Sequence, residues 1–150
     1  MTDPRSRGAG GRVNGRKVPE GAGVPEEANE GRRWTLTVPA VGPFINLNQR
    51  MHWAPKAKLT KAWRFGAMLT AASEALPTGL EKVHIVAHVV KSTNRQYDVH
   101  NLMPTLKACV DGLVDYGLIP DDTNDHLTGP DLRQGGKGEP SIVITITEEP

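Results

Sequence analysis

Between Val99 and Tyr116 apolar side chains recur at three- and four-residue steps, and this run limits the possible folds more than any other segment. Leu102, Leu106, Cys109 or Val110, Leu113 and Val114 make one stripe of a helix, which has to be buried against a second layer. Pro104 falls in the first turns, where a missing N–H is tolerated. Gly117 supplies a C-terminal stop, and Leu118-Ile119-Pro120 leads away from it. Acids bracket the run, with Asp98 before it and Asp121 and Asp122 beyond it. A straight helix of this length spans about 27 Å. Its two ends can share a site only if the chain after Gly117 turns back, or if Asp98 sits on the approach to the helix.

The layer that covers this stripe is expected from three alternating segments. Arg33 to Val38 places Trp34, Leu36 and Val38 on one side of a strand. Glu81 to Val90 places Val83, Ile85, Ala87 and Val89 on one face and His84, Val86, His88 and Val90 on the other. His84 and His88 are then about 13 Å apart, too far to share a metal ion, and read as half-buried strand residues. Ser141 to Thr147 aligns Ile142, Ile144 and Ile146. His126 to Leu132 reads as a further short strand and Gln134 to Pro140 as a Gly-rich turn.

Lys56 to Leu76 reads as another helix, with Leu59, Ala62, Trp63, Gly66, Leu69, Ala72 and Leu76 as its buried stripe and Pro77 and Gly79 as its stop. Lys58, Lys61 and Arg64 repeat at three-residue steps on its solvent side, either as a phosphate-contacting ridge or as a solvated basic face. Before it, Phe44 to Trp53 is an amide-rich loop with Arg50, His52 and Trp53, either a ligand-contacting loop or an ordinary connection. The expected fold is a single α+β domain, a small mixed β-sheet with two main helices.

Residues 1–32 are set apart as a disordered tail, or an over-long start of the reading frame, and 33–150 as the folded domain. Residues 1–31 hold seven Gly and three Pro, no aromatic residue and almost no large apolar one. They cannot bury enough surface to offset the entropy of ordering them. No run of about 18 apolar residues exists, so no membrane span is expected. The N-terminus lacks the apolar stretch of a signal peptide, which points to the cytoplasm. A single cysteine, Cys109, excludes an internal disulfide and a cysteine-rich zinc site, and reads as a small buried side chain. Net charge is 0 over 1–31, +6 over 32–90 and −5 over 91–150. Such asymmetry suits an enzyme that holds a polyanion and a divalent cation, and also arises by chance in small domains.

Phosphodiester cleavage needs charge neutralised on a non-bridging oxygen and a water made nucleophilic, and one or two Mg²⁺ ions supply both. Mg²⁺ keeps several waters, so two or three carboxylates suffice. Asp98, Asp121 and Asp122 are the candidates, and Asp111 and Asp115 either join them or are solvated. Lys107 and Asp111 are four apart, so Lys107 either stabilises charge on a phosphate or forms a surface ion pair. Aspartates clustered near a turn also serve as turn formers and caps.

Four separated elements in order, Asp98-Val-His-Asn101-Leu102, then Lys107, then Asp111-Gly-Leu113, then Ile119-Pro-Asp121-Asp122, resemble the RusA-type Holliday junction resolvases. Their pattern runs Asp-x-Asp-Asn-Leu, a lysine, Asp-x-Leu and Asp-Asp. The Pro43 to Trp53 loop, with Asn48 and Trp53, resembles the family's early motif, and the match covers residues 34–147. The resemblance implies a RusA-like homodimer and an Mg²⁺-dependent crossover junction endodeoxyribonuclease that makes paired nicks in four-way DNA junctions. It implies Asp98, His100 and Asp122 as metal site with Asp121 beside them and Lys107 as electrostatic helper; Lys58, Lys61, Arg64 and Arg50 are expected as DNA contacts from their basic charge rather than from the resemblance. His100 departs from the pattern, which has aspartate there. Histidine brings no negative charge and suits Mn²⁺ better than Mg²⁺. The alternative is therefore a junction-binding protein with weak or lost catalysis.

Overall fold

The computed structural model describes residues 31–150, and the expected tail falls on residues 1–30, outside the described residues. Gly31 and Arg32, the last residues of that expected tail, lie against Glu148 near the C-terminus. The Glu148 backbone N–H donates to the Arg32 carbonyl at 2.7 Å, and the Arg32 guanidinium meets the Glu148 carboxylate at 2.9 Å.

The elements run β1 (Arg33–Pro39), α1 (Trp53–Ser73), β2 (Val83–Lys91), a 3-10 turn (Val99–Leu102), α2 (Met103–Tyr116), β3 (Leu127–Lys137) and β4 (Ser141–Glu148). The domain is α+β, a four-stranded mixed sheet with two helices, in strand order β1-β4-β2-β3. β4 is antiparallel to both β1 and β2, and β3 is parallel to β2. The alternation sets the register: Leu36 faces Ile144 across β1–β4, and Ala87 faces Ile144 across β2–β4. Those inward side chains join Trp63, Ala67, Ala71, Leu106, Leu113 and Leu118 in one buried core. His84, Val86, His88 and Val90 stay half-buried on the other sheet face.

Two expectations are corrected. The buried stripe of α1 is Trp63, Ala67 and Ala71, whereas Leu69 is 49 % exposed and Ala72 is also exposed. Close approach of the helices decides this. A Cβ added at Gly112 of α2 would lie 2.1 Å from the Arg64 carbonyl oxygen and 3.0 Å from the Ala67 Cβ. Only small residues fit such a crossing, so the alanine face turns inward and Phe65 and Leu69 turn out. β3 is also longer than its sequence suggests, and it runs through Gly135 and Gly136 to Lys137, where a turn was expected. As an edge strand it pairs with β2 alone, and a Cβ at Gly135 would sit 2.9 Å from the Val89 carbonyl oxygen, so glycine permits the pairing.

Cys109 is fully buried, and burial pushes its thiol up to about 12, as suits an inert packing residue. No helix among the described residues is long and apolar enough to cross a membrane.

Gly112→Ala is expected to destabilise the domain by about 2 kcal/mol, because the methyl group has to push two helix backbones apart. Chemical denaturation would measure it. An unchanged midpoint would contradict the close crossing.

Candidate functional site

The segment after α2 decides where the acids go. Gly117 adopts the left-handed conformation at φ +101°, which a side chain would strain, and closes the helix through bonds to Leu113 and Val114. The chain then pairs with the α1–β2 connection: the Gly79 and Leu80 N–H groups donate to the Gly117 and Leu118 carbonyls at 2.8 and 2.9 Å. Leu118 and Ile119 are buried and anchor the reversal. Asp122 thereby turns back over α2 and its carboxylate bonds the Lys107 ammonium. Asp111, one turn beyond Lys107 in α2, bonds the same ammonium at 2.9 Å. The turn-back that the sequence required is present, and Lys107 joins Asp111 to Asp122 rather than pairing with Asp111 alone.

Lys107 is held by both carboxylates, the bond to Asp122 being the main cause raising its pKa, partly offset by burial. The three side chains remain accessible, at 54 % for Lys107, 30 % for Asp111 and 33 % for Asp122. An ammonium seated between two carboxylates marks a place where positive charge is favoured.

Asp98 occupies the N-cap of the 3-10 turn, accepting from the His100 backbone N–H at 3.0 Å. The His100 ring stands 3.4 Å from the same carboxylate, with both side chains largely exposed. From Asp98 to Lys107 the helical rise is roughly 15 Å. The Lys107 ammonium reaches toward Asp111, one turn further from Asp98. The amide-rich loop is fastened to the Asp98 end. The Leu47 N–H donates to the Asn101 carbonyl at 2.8 Å, and the buried Thr105 hydroxyl bonds both the N–H and the carbonyl of Ile45, at 2.7 and 3.0 Å. Phe44 stacks on Trp63 at 5.5 Å, and the indole N–H donates to the Pro43 carbonyl. The two stretches singled out by sequence, Pro43 to Trp53 and Asp98 to Asn101, are thus neighbours.

The remaining candidates have other surroundings. Asp121 accepts from the Thr123 N–H at 2.9 Å, the role of a turn former, and that bond lowers its pKa. Arg64 makes a two-point bond to Asp115, at 2.6 and 2.8 Å, which raises the guanidinium and lowers the carboxyl, so it ties α1 to α2. Lys58 and Lys61 are exposed on α1, and Arg50 is exposed in the loop before it. His84 pairs with Asp131 at 2.8 Å, a contact that no sequence spacing announces.

Among the described residues no three His, Cys, Asp or Glu side chains gather closely enough to hold a metal ion. The expected ligands fall into two groups, Asp98 with His100 and Asp122 with Asp111. The donors nonetheless suit Mg²⁺ or Mn²⁺, since such ions take one or two carboxylates and fill the rest of their shell with water and substrate phosphate. Compared with known protein families and with curated proteins, the chain matches none.

Lys107→Met is expected to lower stability by about half a kcal/mol at pH 7, the size fitting a largely exposed pair. The contacts raise the lysine pKa, so their contribution is complete below about pH 10 and is lost as pH rises through the raised value. Denaturation curves of both proteins at pH 7 and above pH 11 should differ at the lower pH and converge at the higher one. A gap that widens with pH would contradict the assignment.

Proposed function

We propose that the chain is a metal-dependent endodeoxyribonuclease of RusA type, acting as a homodimer on four-way DNA junctions. The observation that carries this reading is the return of Asp122 to Lys107 and Asp111, which gathers residues from three of the four motif elements around one cation-favouring point. Asp98 and His100 stand at the N-terminal end of the same helix, with the early-motif loop bonded to Asn101. A divalent cation, when bound, supplies charge neutralisation at the scissile phosphate and a more acidic water.

The chain's own side chains divide the remaining work. Lys107, accessible and cationic, faces the non-bridging oxygens and offsets charge that grows as the phosphate is attacked. Asp98 and Asp122 are the ligands of first resort, and His100 presents a neutral nitrogen donor beside Asp98. Asp121 holds the turn that aims Asp122. Phe65 and Leu69, 55 % and 49 % exposed one turn apart on α1, are apolar surface that a second copy would cover.

His100 supports a second reading. A histidine where the resemblance has aspartate weakens Mg²⁺ holding, and the chain then binds junctions with little or no cleavage.

A labelled four-way junction incubated with Mg²⁺ and with Mn²⁺ distinguishes the two. Paired nicks are expected, stronger with Mn²⁺, and Asp122→Asn should reduce them at least about a hundredfold, as loss of a ligand does. His100→Asp should raise the Mg²⁺-supported rate relative to the Mn²⁺-supported one. Binding without nicking under both metals would favour the second reading, and nicking unaffected by Asp122→Asn would refute the ligand role.

A further inference from the structure

The segment from 91 to 150 carries the chain's acidic excess, yet the fold collects part of its positive charge at one place. β2 and β3 run parallel, and their final register pair is Lys91 with Lys137. Like charges at paired positions destabilise a sheet. Among ion pairs between described residues none involves Lys91, Lys137 or Arg95.

The strap from Ser92 to Tyr97 carries exposed Arg95, which lies beside Gln134 and Gly136 near the end of β3. It is pinned there by the Gln134 amide, which donates to the Tyr97 carbonyl at 3.1 Å, and by Lys91, whose ammonium lies 4.1 Å from the centre of the Tyr97 ring. The ring orients the lysine but adds no countercharge. Asp98 follows Tyr97 directly, so the cationic strand ends and the start of the candidate site are one continuous structure. On its other side Lys91 lines a cavity of about 480 Å³ with Asn46, Gln49 and Ser92, between the amide-rich loop and Leu102. Unpaired cations beside amide donors are the equipment of a surface that follows a sugar-phosphate backbone.

We propose that Lys91, Arg95 and Lys137, at the C-terminal ends of the parallel strands, form a DNA-backbone surface that holds the phosphates of the substrate strand next to Asp98. This rests on the nuclease reading above, and it locates the substrate on a different surface from the α1 lysines Lys58 and Lys61.

The test is binding of a fluorescent four-way junction by the full chain, with Ca²⁺ replacing Mg²⁺, across a series of salt concentrations. Each phosphate contact contributes about 0.9 to the slope of log affinity against log salt. The Lys91→Gln, Arg95→Gln, Lys137→Gln triple variant should lower that slope by about two to three and weaken binding at least about tenfold near 0.1 M salt. Lys91→Arg with Lys137→Arg should keep the wild-type slope, which separates charge from damage to the sheet. A triple variant with wild-type slope and affinity would overturn the proposal and leave the nuclease reading standing, as would an arginine variant as weak as the triple. Failure of the wild-type chain to bind junction at any salt would remove the nuclease reading, and this proposal with it.

Discussion

Everything about the candidate site depends on one reversal of the chain. Gly117 takes a conformation that residues with side chains avoid, two backbone bonds clamp the next residues to the α1–β2 connection, and Leu118 and Ile119 are sealed into the core. Without that reversal Asp122 would stand beyond the end of α2, far from Lys107. With it, an acid from the connection meets an acid and a lysine from the helix. Apolar burial thus positions a polar cluster whose own bonds, being largely exposed, contribute little to stability. The cluster is therefore available to exchange partners, which a ligand-binding group requires.

The same division of labour recurs at the other end of α2. Thr105 is buried and bonds both backbone groups of Ile45, and so fixes the amide-rich loop against the helix start. Asp98 then needs only its N-cap position to face solvent near that loop. On the helix-packing side, Gly112 and Ala67 allow α1 and α2 to approach so closely that Arg64 reaches Asp115. A basic residue that its spacing grouped with Lys58 and Lys61 thus serves as a strut between helices.

Much of this was legible in the sequence. Period-two alternation located β1, β2 and β4 to within a residue or two, because each buries one face only. The three-four repeat located α2, although its first turn is 3-10, with Asp98 as its cap. The pairing of Lys107 with Asp111 follows from helical spacing. The bond from Lys107 to Asp122 does not, since it depends on the direction of the chain after Gly117. In the expected stripe of α1, Trp63 and Leu76 are buried and Leu59 packs on the core, but hydrophobic size favoured Leu69 where the tight crossing selects Ala67 and Ala71. Gly135 and Gly136 read as a turn, whereas close approach to Val89 keeps them in an edge strand. The meeting of Lys91 and Lys137 is a matter of parallel register, which neither segment encodes alone.

The central claim is that Asp111 and Asp122, joined through Lys107, mark a point that attracts a divalent cation, with Asp98 and His100 a separate group at the start of the same helix. Backbone amide spectra of the isotopically labelled chain, titrated with substoichiometric Mn²⁺, test it most directly, because the paramagnetic ion broadens resonances according to their nearness. Signals from Lys107 to Asp111 and from Asp121 to Thr123 are expected to broaden first and together, ahead of those from Asp98 to Asn101. Broadening that begins elsewhere, or that spreads evenly over the acidic surface, would contradict it.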